Sequence, residues 1–115
     1  GLLDEMDEAL MVPANCVSGC GPAFAALFME ALADGAVACG LPRDKAMTCA
    51  AQMLVGTGRL YLEGQKHPGA MKDAVCSPGG TTIQGVRTLE KNGFRSAAME
   101  AVIAAYEKTM EMQRK

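Results

Sequence analysis

Half of this 115-residue chain is hydrophobic, yet only 4% is aromatic and no tryptophan occurs. Its core must therefore be assembled from alanine, leucine, valine, isoleucine and nine methionines. Alanine has the highest helix propensity and lets backbones approach, and methionine adapts to the gaps that remain. Together they predict closely packed helices. The apolar residues recur at helical spacing, and no segment alternates at period two for long enough to make a strand. The expected fold is all-α, a small helical bundle occupying residues 1–115 as a single domain.

The acidic opening from Asp4 to Met11 reads as a short helix with its carboxylates near the positive end of the helix dipole, interrupted by Pro13 and Ala14-Asn15. Ser18-Gly19-Cys20-Gly21-Pro22 reads as a helix start with proline in the first turn. From Ala23 to Cys39, the residues Phe24, Leu27, Phe28, Ala31, Leu32 and Ala38 mark one broad apolar face, and Gly40 ends the helix. A second long helix runs from Arg43 to Leu62, with Ala46, Ala50, Met53, Leu54, Leu60 and Tyr61 apolar. Lys45, Gln52 and Arg59 form its solvated stripe. Gly56 and Gly58 inside it each cost about 1 kcal/mol relative to alanine, which predicts another backbone packed close against them. A connector over Gly64 to Gly69 leads to a short helix through Met71 and Val75. After Ser77 to Thr82 comes a helix with Ile83, Val86 and Leu89 inward, ended by Asn92-Gly93. The last helix, Phe94 to Met112, places Met99, Val102, Ile103, Tyr106 and Met110 on one face.

These apolar faces exceed what one small bundle covers, which predicts burial against a second subunit; a monomeric bundle is the alternative. A net charge of -2 supplies nothing to neutralise a run of phosphates, so no nucleic-acid partner is expected. No stretch reaches the ~20 apolar residues of a membrane span, and the first residues are acidic where a signal peptide would be basic. Five cysteines, at 16, 20, 39, 49 and 76, predict reduced thiols in an intracellular compartment, the cytoplasm. Cys39 and Cys49 are buried by pattern. One histidine and no paired cysteine motif leave no basis for a structural zinc site.

Ser77-Pro78-Gly79-Gly80-Thr81-Thr82 carries the strongest chemical signal. Proline fixes one φ, two glycines free the following backbone, and a helix starting there exposes N–H groups at its positive end. Read alone, the turn is either a capped helix start or a site for a small anion, with two hydroxyls for a second polar group. It lacks the lysine of a phosphate-binding loop. Ser18-Gly19-Cys20-Gly21 lacks a preceding strand and a third glycine, so it is no dinucleotide fingerprint. Glu30 and Asp34, four apart, read as an acid–base pair or as a solvated stripe paired with cations of another helix. His67 has no nucleophile partner in the pattern.

Val75-Cys76-Ser77-Pro78-Gly79-Gly80-Thr81-Thr82-Ile83-Gln84-Gly85-Val86-Arg87-Thr88-Leu89-Glu90 closely resembles the signature of pyrroline-5-carboxylate reductases. Ser18 to Phe24, Glu30 to Gly35, Gly40-Leu41-Pro42, His67-Pro68-Gly69 and Gly93-Phe94-Arg95 agree with that family in order and spacing. The resemblance implies a two-domain enzyme that reduces 1-pyrroline-5-carboxylate to L-proline. Its N-terminal Rossmann domain would hold NADPH or NADH, and its C-terminal helical domain would dimerise and complete the active site. This chain resembles the C-terminal domain alone, an interlocked dimerisation domain of the 6-phosphogluconate dehydrogenase C-terminal-like type. The cofactor-binding residues are then expected mainly in the other domain, and the partner is a second copy, with larger assemblies of dimers in the family.

By the same resemblance, backbone N–H groups across Gly79, Gly80 and Thr81 would take the substrate carboxylate. The Thr82 hydroxyl would bond the ring nitrogen as the catalytic contact, and Val75 would wall the ring. Cys20, Phe24 and Cys76 depart from the family pattern, where Ser, Tyr and a hydroxyl residue are usual. A stand-alone dimerisation module without enzymatic role is the rival reading. Hydroxy-acid dehydrogenases of similar architecture place a catalytic lysine on a helix, and their motif has no counterpart here.

Overall fold

Pro13 does not interrupt the first helix. In the computed structural model, which describes residues 7–114, α1 (Glu8–Ser18) runs straight through it. Residues 4–6 of the expected acidic helix lie outside that range. Proline removes only the rung to the carbonyl of Ala9. One lost rung is tolerated here because α1 packs along α6 and buries Cys16. Tertiary packing, not propensity, carries this helix.

The remaining elements are α2 (Gly21–Ala38), α3 (Arg43–Gly64), α4 (Pro68–Ala74), α5 (Thr81–Lys91) and α6 (Phe94–Gln113). No strand occurs among the described residues, and the all-α expectation holds. The end of α2 is written in the local sequence. Gly40 adopts φ 106, its N–H donates to the carbonyl of Val37, and the Leu41 N–H donates to that of Ala36. This paired closure needs a left-handed residue that glycine adopts without strain, and Pro42 then prevents the helix from resuming. Asp34 of α2 pairs with Arg43 at the start of α3. The pair is half exposed, so it contributes no more than about 1 kcal/mol. Its carboxylate therefore faces a cation and not Glu30. At the other end of α3, Gly64 remains helical, and Gln65 takes the left-handed position with φ 51.

The described residues fall into two compact units. One comprises residues 7–26 and 93–114, with α1 packed along α6. The other, Leu27–Asn92, holds most of α2 together with α3, α4 and α5. Its buried side chains are all alanine: Ala33, Ala46 and Ala50.

The long apolar faces are bare in the single chain, in keeping with the excess of apolar surface read from the sequence. Leu27 is 68% exposed, Leu60 59% and Leu62 71%. Cys39 and Cys49, expected inside, are exposed. A Cβ built at Gly56 or Gly58 meets nothing within 4 Å, so among the described residues no other backbone packs against them. The cause is common to all these positions. Periodicity identifies a face to be covered, and one copy of the chain does not supply the cover. The membrane expectation also needs correction. Glu8–Ala38 is long and apolar enough by length and composition to cross a membrane, its most apolar 18-residue window having a mean hydropathy of 1.5. The Gly19-Cys20 turn divides that stretch into helices of 11 and 18 residues.

Candidate functional site

The turn that the sequence singles out lies within the Leu27–Asn92 unit and is built by consecutive local bonds. His67 precedes Pro68, the first residue of α4, and its Nδ1 accepts the Gly69 N–H at 2.9 Å. Proline suits that first position because the N–H it lacks would have had no acceptor. At the far end, the Val75 N–H donates to the carbonyl of Lys72 and the Cys76 N–H to that of Asp73, each at 3.1 Å. These bonds deliver the chain directly to Ser77. Val75 is 66% exposed, and Cys76 is half-buried.

Ser77 to Gly80 form a tight turn closed by the Gly80 N–H donating to the Ser77 carbonyl at 3.1 Å. Gly79 has φ 68. Proline at the second position and a positive φ at the third define a type II turn, which glycine alone occupies without strain. Alanine at Gly79 is expected to destabilise the fold by about 1–2 kcal/mol, a loss read as a lower Tm at unchanged helix content. Gly80 is constrained by space. A Cβ there would lie 2.4 Å from Ser77 Oγ and 3.3 Å from its carbonyl oxygen. The turn is thus packed on its own serine.

Gly80 is the N-cap of α5 and offers no side-chain cap. Because its own N–H is committed to Ser77, the donors left at the helix start are the N–H groups of Thr81, Thr82 and Ile83, which have no protein acceptor among the described residues. No acidic residue stands in the first turn of α5 to neutralise its positive end. The hydroxyls of Thr48, Thr57, Thr88 and Thr109 each donate to the carbonyl four residues earlier. Thr81 and Thr82 stand before the first available helical carbonyl, and their exposed hydroxyls have no protein partner among the described residues. Val75, Gly79, Gly80, Thr81 and Thr82 are therefore brought together by local chain geometry. The arrangement can receive a small anion on backbone N–H groups and a second polar atom on a hydroxyl.

Other sequence candidates lie elsewhere. Glu30 is exposed on α2, and Asp34 is engaged by Arg43. Among the described residues no group of three or more His, Cys, Asp or Glu could hold a metal ion. The cap made by His67 escapes sequence reasoning, although Pro68 and Gly69 after it are the local signal for a helix start.

Comparison with known proteins gives a consistent result. Residues 8–112 match the family described as pyrroline-5-carboxylate reductase dimerisation. A pyrroline-5-carboxylate reductase of Synechocystis is 53% identical over 115 residues, covering 100% of this chain and 43% of that protein. That of Escherichia coli is 46% identical over 114 residues, covering 99% of this chain and 42% of that protein. Among solved structures, a Plasmodium falciparum pyrroline carboxylate reductase with NADP bound superposes with a TM-score of 0.87 at 38% identity. The match covers 93% of this chain and 41% of that one. A Streptococcus pyogenes 1-pyrroline-5-carboxylate reductase gives 0.86 at 32% identity, covering 90% of this chain and 40% of that one. The chain thus spans about two fifths of the length of these relatives.

Proposed function

The chain belongs to the pyrroline-5-carboxylate reductase dimerisation family, and from that membership we propose that it is the substrate-binding and dimerising part of an enzyme that reduces 1-pyrroline-5-carboxylate to L-proline. One observation carries the reading. The uncapped start of α5 presents unpartnered N–H groups and hydroxyls, and it does so in the segment whose sequence carries the family signature. The substrate is a small carboxylate with a ring imine, which matches an anion site beside a hydroxyl.

In this reading the Thr81 N–H, with Gly79 beside it, receives the carboxylate. Gly80 serves by leaving room, since its N–H is already bonded to Ser77. The Thr82 hydroxyl orients the ring nitrogen and favours its protonated form, and Val75 walls the ring. The imine carbon gains a hydride and the nitrogen a proton, which balances the reduction to a secondary amine. Holding the imine carbon within about 3–3.5 Å of the donor is what such a site contributes.

The hydride comes from NADPH or NADH. Among the described residues no strand leads into a glycine-rich helix start, so this chain's residues do not fit a dinucleotide site. We assign the nucleotide to an N-terminal Rossmann domain of the same enzyme. The bare apolar faces of α2 and α3 support a homodimer of interlocked helices, on which larger assemblies of dimers can be built. Five free thiols, two of them exposed, support a reducing compartment, the cytoplasm.

Two proteins test the division of labour. The 115-residue chain alone is expected to give no oxidation of NADPH with pyrroline-5-carboxylate, whereas the same chain joined to its N-terminal domain is expected to turn over. Robust activity of the isolated chain, or none in the joined protein, would refute the reading.

A further inference from the structure

His67 is the chain's one histidine, and the reading above gives it no part. Its geometry is specific. A neutral imidazole accepts through Nδ1 only when its proton is on Nε2, so the bond from the Gly69 N–H selects one tautomer. Gly69 is matched to this ring, because a Cβ there would lie 2.9 Å from Nδ1 and 3.3 Å from Cε1. Any larger residue at 69 must push the imidazole off the cap.

The capped element is short. At seven residues, α4 has too few internal bonds to hold itself together, since isolated helices below about 12–15 residues are marginal. Its start therefore depends on the cap. Its end leads without slack into the site, through the bonds of Val75 to Lys72, Cys76 to Asp73 and Gly80 to Ser77. Loosening the first turn of α4 frees the next rungs and then the turn that sets Thr81 and Thr82.

We infer that His67 is a positioning residue: by capping α4 it fixes the Ser77–Gly80 turn and with it the donors at the start of α5. The functional part of this inference rests on the proposed carboxylate site, but the positioning itself does not. In the full-length enzyme, His67→Ala is expected to speed amide hydrogen exchange at Val75, Cys76 and Gly80, whose N–H groups make the bonds of this segment, about fivefold, the effect of one lost cap confined to it. Exchange in α3 and α6 is expected to stay unchanged. His67→Asn, which keeps an acceptor at the N-cap, is expected to restore the wild-type rate, and Gly69→Ala to mimic the loss. L-proline, the product that carries the same carboxylate, is expected to slow exchange at these three amides about tenfold at ten times its Kd, because a ligand held by the closed turn lowers its open fraction. Unchanged exchange at Val75, Cys76 and Gly80 in His67→Ala, or a His67→Asn protein as fast as His67→Ala, overturns the positioning role. Exchange that responds to the substitution as expected but not to L-proline upholds the positioning role and refutes the carboxylate reading of the turn.

Discussion

Aspartate at Leu62 is expected to turn a stable dimer into a species that dissociates at micromolar concentration. In the single chain Leu62 is 71% exposed and Leu60 59%, on a helix whose buried side is lined by Ala46 and Ala50. If that surface faced water in the working protein, a charge there would change stability by no more than about 0.5 kcal/mol. If it is buried against a second copy, the substitution loses the burial of a leucine, about 1.5–3 kcal/mol, and strands a carboxylate in an apolar contact. The sum corresponds to roughly a thousandfold or more in Kd, using 1.4 kcal/mol per tenfold. Gln52→Asp, placed on the solvated stripe with Lys45 and Arg59, is the control and is expected to leave assembly unchanged. Sedimentation of the three proteins over a concentration series separates the cases. A well-folded wild-type monomer, or a Leu62→Asp protein that associates as tightly as wild type, would rule out α3 as the interface.

The same bare surface explains which features were legible in the sequence. Gly40 and Gly93 each mark a boundary that the structure places where the residues predict it. Their cause is local, one φ angle, and a local cause leaves a local trace. Pro13 misleads because its rung is lost locally while the packing of α1 on α6 acts from the far end of the chain. Cys39, Cys49, Gly56 and Gly58 mislead differently. Their pattern encodes a contact, but the pattern does not say whose side chains complete it. The site falls on the legible side, since Val75 to Thr82 are neighbours in sequence and one type II turn followed by a helix start sets their geometry. What the residues alone left open was whether that start is capped. Only the structure reveals that the Gly80 N–H is spent on Ser77 and that neither threonine hydroxyl has a partner among the described residues.

That difference in donors gives the two adjacent threonines different fates on substitution. Thr81→Ala keeps the backbone N–H that the proposed carboxylate contact uses, and is expected to change kcat/KM little. Thr82→Ala removes the hydroxyl proposed for the ring nitrogen. A hydrogen bond to a charged partner contributes about 1.5–3 kcal/mol, so its loss is expected to lower kcat/KM roughly ten- to a hundredfold if the bond persists in the transition state. Alanine is an excellent helix former, and both side chains are exposed, so neither change weakens the start of α5 on its own account. The full-length enzyme is the right host, with each variant checked for Tm and for dimerisation. A purely structural pair would behave otherwise, with both variants losing stability together while the folded fraction kept wild-type kinetics. Thr82→Ser offers the sharper control. It returns the hydroxyl without the methyl, and is expected to recover most of the lost rate if the hydroxyl is what acts. A Thr82→Ala enzyme with near-normal kcat/KM would show that the ring nitrogen is held by some other group, and the turn would then be left with the carboxylate alone.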